Sequence, residues 1–202
     1  MENRPESSIT CPYCGNPRPA KIVYGLPDGS EEYHRRVRER EIVSGGCLIP
    51  PGYPKYRCFV CGRNIFTSPV FAEEGRLIRY ADRADALLYR VFSPSAPPLS
   101  LSMAKLPERV LAETRQGKEE NETVRRFGID PAAWDGLMDT LYSRLHLHEW
   151  PPAEGEPPED GWQLKVSLRG GRVFTWAGGD GFPPYGAELK ALFAPYLPDS
   201  GS

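Results

Sequence analysis

The sequence has few of the residues on which common enzyme sites depend. It holds only three histidines, and it contains no Gly-x-Ser-x-Gly elbow of the kind that presents a nucleophilic serine. Gly178–Gly181 superficially suggests a phosphate-binding loop, but the Lys-Ser/Thr that completes such a loop is missing, and a turn between a hairpin and a helix explains it better. No paired carboxylates stand in a recognisable catalytic setting. We therefore expect a protein that is not an enzyme.

Long apolar segments are missing as well. No apolar run approaches the ~18–20 residues that a transmembrane helix needs. Residues 1–8 lack the apolar stretch of a secretory signal, and we expect residues 1–10 to form a polar tail. Cysteine pairs without an export signal fit a metal in a reducing compartment better than they fit disulfides. The sequence therefore predicts a cytoplasmic protein without a membrane segment.

Proline, by contrast, is abundant: the chain has 22 prolines, which favour loops over long helices. The net charge of −2 is unevenly distributed. Residues 1–68 hold ten Lys/Arg and seven Asp/Glu, residues 69–150 hold eleven and thirteen, and residues 151–202 hold four and seven. The chain as a whole has no general attraction to nucleic acid, and its small excess of positive charge lies in the first third.

Four of the five cysteines stand in two matching turns, Cys11-Pro-Tyr-Cys14-Gly and Cys58-Phe-Val-Cys61-Gly. Two residues between the sulfurs let one tight turn direct both thiolates at the same ion, and the glycine that follows lets backbone amides approach the sulfurs. Two such turns supply the four thiolates of a closed, tetrahedral zinc site. The sequence therefore predicts one structural Zn2+ ion bound by Cys11, Cys14, Cys58 and Cys61. The alternative is that these cysteines are buried or disulfide-bonded.

Residues 11–68 are predicted to form a zinc ribbon with a helical insert. The 43 residues between the two cysteine turns contain a polar helix at about 31–41, capped by Ser30. Acidic residues in its first turn suit the positive end of the helix dipole. Short strands are predicted around this helix, at residues 21–24, 42–43, 47–49 and 64–67, and residues 56–61 lead into the second cysteine turn.

Residues 69–202 are predicted to form a separate α+β domain, a small antiparallel sheet with helices on one face. Residues 87–92 fit either a strand or a helix, and residues 117–122 are expected to be a charged loop. An acidic, proline-rich connector spans residues 151–161. Strands are predicted at 76–80, 99–103, 162–168 and 172–176, and helices at 107–116, 130–145 and 186–196.

The most regular of these helices begins with Asp130 as its cap and Pro131 in its first turn. Its apolar residues fall on one face, a pattern typical of a helix that packs on a core. They are Trp134, Leu137, Met138, Leu141 and Leu145.

The helix at 31–41 raises a second functional hypothesis, because it is rich in arginine. Its basic residues could contact phosphates, and tyrosines in the same region could stack on bases. Glutamates interspersed along the helix dilute this positive charge, so a solvated helix face is the competing interpretation. The candidate contact residues are Arg35, Arg36, Arg38, Arg40, Tyr33 and Tyr56, with Lys55, Arg57, Arg63 and Tyr53 nearby.

Two further features have weaker interpretations. Cys47, the fifth cysteine, could be a reactive thiol or a spare ligand, but we expect it to pack as a small apolar residue behind the ribbon. His146 and His148 would share one face of a strand and could offer a second metal site, although no carboxylate or cysteine partner is evident in the sequence.

Residues 11–62 resemble a widespread bacterial family of small zinc-ribbon proteins. The family pattern is Cys-Pro-x-Cys-Gly, Ile-Val-Tyr-Gly-x-Pro, a short acidic helix, Gly-Gly-Cys and Cys-x-x-Cys-Gly. The matching segments are Cys11–Gly15, Ile22–Pro27, residues 31–41, Gly45–Cys47 and Cys58–Gly62, about a third of the chain. The resemblance implies a zinc site but no known activity. The arginine-rich helix departs from the family pattern, which is more acidic there.

The C-terminal part is similar to emfourin-like protease inhibitors, which are protein binders, in its order of helix, hairpin and helix. Trp150, Asp160-Gly161-Trp162 and the Gly-Asp-Gly-Phe-Pro loop carry this likeness. We therefore expect a non-enzymatic protein in which a structural zinc ribbon supports a protein-interaction surface. The partner is not named by the sequence, and the alternative function is nucleic-acid binding through the arginine-rich helix.

Overall fold

A computed structural model of the chain describes residues 9–47, 53–66, 69–117, 119–153, 155–179 and 185–198. The chain divides into two compact units, residues 1–68 and residues 69–202. Both mix helices with strands, which confirms the predicted α+β class. Among the described residues, no helix has the length and apolar character needed to cross a membrane.

The first unit is a four-stranded mixed sheet with one helix. Its strand order is β2-β1-β3-β4, with β1 parallel to β2 and antiparallel to β3. Helix α1 connects β1 to β2, since two parallel strands need a crossover between them. The elements are β1 (Ala20–Val23), α1 (Glu31–Arg38), β2 (Ile42–Ser44), β3 (Tyr56–Arg57) and β4 (Asn64–Ile65).

Helix α1 begins where the sequence predicted and ends earlier. The Ser30 hydroxyl accepts a hydrogen bond from the Tyr33 amide at 3.0 Å, which confirms Ser30 as the cap. The helix stops at Arg38 because Arg40 takes a left-handed conformation, with φ 58°, that turns the chain into β2. No residue of α1 is buried, so tertiary packing contributes little to it.

The apolar core beside the cysteine turns is very small. One cluster of buried residues contains Ile9, Cys11, Cys58 and Ile65, with Tyr13, Tyr56 and Cys61 packed against it. Two of its four buried members are therefore predicted metal ligands. A core of this size buries little apolar surface, so this end of the unit needs a further source of stability.

The second unit is built on a six-stranded antiparallel sheet of order β10-β9-β8-β7-β11-β12. Its strands are β7 (Ala84–Phe92), β8 (Leu99–Lys105), β9 (Val110–Gln116), β10 (Thr123–Ile129), β11 (Gly161–Leu168) and β12 (Arg172–Gly178). The remaining elements are the hairpin β5 (Val70–Glu73) and β6 (Arg76–Arg79), and the helices α2 (Tyr80–Arg83), α3 (Pro131–Asp139) and α4 (Gly186–Phe193).

Helices α3 and α4 pack on one face of this sheet and form its core, as predicted. The Asp130 carboxylate accepts a hydrogen bond from the Ala132 amide at 2.7 Å, which confirms the predicted cap of α3. The apolar stripe of this helix is buried together with residues from the facing strands and from α4. The shared core includes Trp134, Leu137, Met138, Leu141, Leu145, Leu101, Trp162, Leu164, Leu189 and Phe193.

The predicted helix at 130–145 is not α-helical throughout. It widens at Thr140–Arg144 into one π-helical segment, in which the Leu145 amide donates to the Thr140 carbonyl at 2.9 Å. The Thr140 hydroxyl also donates to the Gly136 carbonyl at 2.8 Å. Side-chain bonding of this kind competes with the regular helix ladder. The wider turn still keeps Leu141 and Leu145 buried.

The prediction of a helix at 107–116 is wrong. Strand β9 occupies Val110–Gln116 and pairs on both sides, with β8 and with β10. Its inward residues include Ala112 and Thr114, whose small or polar side chains conceal the alternating pattern. Pairing with two neighbours overrides the weak helix preference of the segment. Strand β10, which the sequence did not predict, supplies one of those neighbours.

Other predictions in the second unit are confirmed with small changes. Residues 87–92 belong to strand β7, and the strands predicted at 162–168 and 172–176 lie within β11 and β12. The predicted closing helix ends as a 3-10 turn at Ala194–Tyr196. The Ala153 amide in the connector donates to the Thr175 carbonyl of edge strand β12 at 2.9 Å. Residues 48–49 and 67 of predicted strands, and 180–181 of the glycine-rich loop, lie outside the described residues.

The two faces of the large sheet can be distinguished with one matched pair of substitutions. Leu101 on β8 faces the core and is 0% exposed, whereas Leu111 on β9 is 44% exposed. We expect Leu101→Ala to lower the free energy of unfolding of the second unit by about 2–5 kcal/mol. Leu111→Ala should change it by less than about 0.5 kcal/mol.

All four tryptophans lie in this unit, so tryptophan fluorescence during urea unfolding measures it alone. Equal effects of the two substitutions would contradict the assignment of the faces.

Candidate metal centre

The structure brings the four predicted ligands together at one end of the first unit. All four sulfurs lie within 4.8 Å of one another. The Cys11 Sγ lies 3.7 Å from the Cys61 Sγ, and the Cys14 Sγ lies 3.6 Å from the Cys58 Sγ. Each contact thus joins one turn to the other. The four thiols are free, so the disulfide alternative does not apply.

The two cysteine turns repeat the same backbone hydrogen bonds. In the first, the Gly15 amide donates to the Cys11 carbonyl at 2.9 Å, and the Cys11 amide donates to the Asn16 carbonyl at 2.8 Å. In the second, Gly62 donates to Cys58, and Cys58 donates to the Arg63 carbonyl, both at 2.8 Å. Gly15 and Gly62 have φ of 72° and 73°, a left-handed conformation in which glycine carries no steric penalty.

The electrostatics of the site favour a bound cation. Burial raises the pKa of the Cys11 thiol to about 12, because the thiolate would lose its hydration there. Burial also acts to raise the pKa of Cys58, but hydrogen bonds from the Cys61 and Val60 amides and from the Asn16 side chain outweigh it. The pKa of Cys58 therefore falls to about 6. A cation among these sulfurs would stabilise every thiolate at once.

The geometry of the sulfurs fits a tetrahedral metal. A zinc ion with Zn–S bonds of about 2.3 Å places its sulfurs about 3.8 Å apart. The two sulfur contacts between the turns are close to that spacing. Four thiolates complete the coordination shell and leave no open position for a catalytic water. The arrangement suits a structural metal.

The arginines of helix α1 are placed mainly within ion pairs on the helix surface. Arg35 pairs with Glu32 at 2.7 Å and also with Glu39, and Arg36 pairs with Glu41 at 3.3 Å. The Arg35 guanidinium lowers the pKa of the Glu32 carboxyl through their hydrogen bonds. These contacts engage the positive charge that the phosphate-binding hypothesis requires.

The other candidate contact residues are divided between the helix and the ribbon. Arg38 is exposed at the helix end, whereas Tyr33 is half-buried beside His34. The Arg40 guanidinium lies 5.3 Å from the centre of the Phe59 ring, in the second cysteine turn. Tyr56 is half-buried and packs on the small cluster that contains Cys11 and Cys58. Basic and aromatic side chains also pair outside the helix: Lys55 lies 4.0 Å from the centre of the Tyr53 ring, and Arg63 lies 4.5 Å from that of Tyr13.

The structure also shows where the two weaker candidates lie, namely Cys47 and the pair of His146 and His148. Cys47 is exposed, so the expectation that it packs as a buried apolar residue is wrong. The His146 and His148 rings lie 6.3 Å apart, not on a strand but at the 3-10 turn that follows the π-helical segment. Among the described residues, the four cysteines are the only cluster of three or more His, Cys, Asp or Glu ligand atoms close enough to hold a metal.

Two features of possible functional value were missed by the sequence interpretation. Phe59 and Val60 lie between the ligands of the second turn and are 42% and 73% exposed, where apolar residues would ordinarily be covered. The large sheet also has one face without a packed helix among the described residues. The spacing of the cysteines gives no signal for the first feature, since Pro12 and Tyr13, at the corresponding positions of the first turn, are buried and half-buried.

Thiol reactivity tests the placement of the five cysteines. In metal-loaded protein, we expect one thiol per chain, that of Cys47, to react rapidly with a colorimetric thiol reagent. A strong chelator should then expose the other four, because the metal no longer protects them. Cys47→Ser is the control and should abolish only the rapid reaction. Five rapid thiols before chelation would contradict the metal centre.

The assignment of a metal site rests on this geometry and not on a comparison with known proteins. No protein-family model matches the chain, and no curated protein matches it either.

Proposed function

We propose that this protein is non-enzymatic and that one structural Zn2+ ion holds its ribbon in the shape that a partner protein recognises. The observation that carries the proposal is the set of four sulfurs within 4.8 Å of one another. Zinc is the metal that four-thiolate structural sites with Cys-x2-Cys spacing most commonly bind. A reducing cytoplasm is the compartment in which such thiolates persist as ligands.

The proposed contact surface is the apolar tip of the second cysteine turn. Phe59 and Val60 are exposed there, and the Arg40 guanidinium covers part of the Phe59 ring. An exposed aromatic residue beside an arginine is typical of the residues that dominate protein interfaces. The metal would fix this tip, because both of its flanking residues, Cys58 and Cys61, are ligands.

Nucleic-acid binding through helix α1 is the alternative function. It is favoured by the exposed Arg38 and by the positive balance of residues 1–68. The ion pairs of Arg35 and Arg36 weigh against it, because a phosphate would have to displace Glu32, Glu39 and Glu41. The protein-binding function is therefore preferred.

The resemblance to bacterial zinc-ribbon proteins supports the same proposal. Its last two elements, Gly45–Cys47 and the second cysteine turn, follow α1 in the order of the family pattern. The likeness of the C-terminal part to emfourin-like inhibitors would add a protein-binding domain to this ribbon, and it rests on the order of α3, the β11–β12 hairpin and α4.

Metal analysis tests the identity and stoichiometry of the ion. We expect one zinc per chain in protein purified without added metal, and less than one tenth of that in Cys58→Ser, since three remaining thiolates form an incomplete shell. Cys47→Ser should keep the full amount. Iron in place of zinc, or equal metal in Cys58→Ser, would contradict the proposal.

The contact surface can be tested with a charge introduced at its tip. Val60→Glu should reduce the recovery of a partner in quantitative affinity purification by at least tenfold, because it places a charge in an apolar contact. Leu26→Glu is the matched control, since Leu26 is 86% exposed in the same unit. Both variants must retain zinc.

A titration with labelled oligonucleotides at two salt concentrations distinguishes nucleic-acid binding from the proposed protein binding. Binding that weakens steeply with salt and requires Arg35 and Arg36 would replace the protein-binding proposal.

A further inference from the structure

The large sheet of the second unit has a face that α3 and α4 leave open. Its strands are paired residue by residue, so outward side chains form rows that cross all six strands. One of these rows, the apolar row, has mainly small or apolar residues. From β10 to β12 it consists of Gly128, Leu111, Ala104, Ala86, Ser167 and Val173.

The apolar row lies in a groove of about 740 Å³. Small residues form the middle of the row, with Ala104 and Ala86 at its centre, and they leave the sheet surface open to close approach. Leu111 and Val173 stand nearer the two ends and are 44% and 54% exposed. A concave apolar surface of this kind on a sheet face marks an interaction site.

The next two rows of outward side chains, both on the same side of the apolar row, are predominantly basic. Their charged residues are Arg126, Lys165, Arg115 and Arg90, set against a single acid, Glu113. The excess of positive charge in these rows is opposite in sign to the net charge of the chain, which is −2. Glu113 accepts hydrogen bonds from Arg115 and from Arg126, each at 2.6 Å, and Arg115 also pairs at 3.0 Å with Glu122, which precedes β10. The only acid in these rows is therefore already engaged.

Arg90 and Lys165 have no such partner within the described part of the chain. Lys165 pairs with Leu88, and Arg90 pairs with Gln163, so the two cations are diagonal neighbours on β7 and β11. Diagonal neighbours of an antiparallel pair lie about 7–8 Å apart. Two uncompensated positive charges at that distance repel each other, and a carboxylate placed between them would attract both.

The shape and chemistry of this face select among possible occupants. The apolar row and the row beside it contain no aromatic residue, which leaves no stacking platform for bases. An open sheet face cannot enclose a small molecule as pockets do. Five inter-strand spacings of about 4.8 Å give a row of about 24 Å, the length of about 16 helical residues. In α+β folds, the class of this unit, helices are the elements that cover a sheet face.

We propose that this face binds an acidic, amphipathic helix of a partner protein. The apolar side of the helix would lie along the apolar row, and its carboxylates would contact Arg90, Lys165 and Arg126. This surface belongs wholly to residues 86–175 and includes none of the metal ligands. The proposal therefore stands apart from the ribbon surface formed by Phe59 and Val60.

Fluorescence anisotropy with designed peptides tests the proposal on full-length, metal-loaded protein. The probe is a labelled 16-residue helix with one leucine face flanked by glutamates, and its control replaces every glutamate with lysine. We expect the acidic peptide to bind saturably and at least tenfold more tightly. Lys165→Glu and Arg90→Glu should each weaken it at least fivefold. Arg76→Glu, the same charge change on exposed strand β6, should alter it less than twofold.

Ala104→Trp supplies a test without a charge change, since it fills the groove at an exposed position. It should abolish binding while the circular-dichroism melting curve stays unchanged. Equal affinity for both peptides, or no effect of these variants, would overturn the proposal. So would a dimer in sedimentation that Lys165→Glu dissociates, or displacement of the peptide by oligonucleotides or anionic vesicles, because each assigns the face to another occupant.

Discussion

The contact of four cysteine sulfurs across two turns is the constraint on which the first unit depends. Among the described residues, the core beside these turns has four buried members, and Cys11 and Cys58 are two of them. Unpaired thiolates in that buried position would be unstable, whereas a bound cation would turn the same groups into a cross-link between distant parts of the chain. With the proposed metal bound, the mixed sheet and the exposed tip of the second turn would keep their positions because their ends would be joined at the ion.

The second unit gains its stability in the ordinary way, from a large apolar core between a sheet and its helices. Trp134 and Trp162 are fully buried there, and no metal cluster is found among its described residues. Its sheet nevertheless has one face that the described residues leave open and basic, on a chain of opposite net charge. The two recognition surfaces that we propose therefore differ: one is small and would be fixed by the metal, and the other is broad and fixed by packing.

The sequence predicted the site better than it predicted the sheet. The Cys-x-x-Cys-Gly turns, the Ser30 cap and the stripe from Trp134 to Leu145 are local signals: the four sulfurs lie together, the cap is formed and the stripe is buried. Strand β9 was predicted as a helix because Ala112 and Thr114 give weak alternation, and pairing with β8 and β10 is visible only in three dimensions. The open basic face could not be predicted from local sequence either, because Arg90 and Lys165 become neighbours only when β7 pairs with β11.

X-ray absorption at the zinc edge of the purified protein tests most directly whether four thiolates bind one zinc ion. We predict a single shell of four sulfurs at about 2.3 Å, with no nitrogen or oxygen ligand. A spectrum that required an imidazole or a water in the shell would contradict a closed four-thiolate centre. So would a sample in which no zinc edge could be measured.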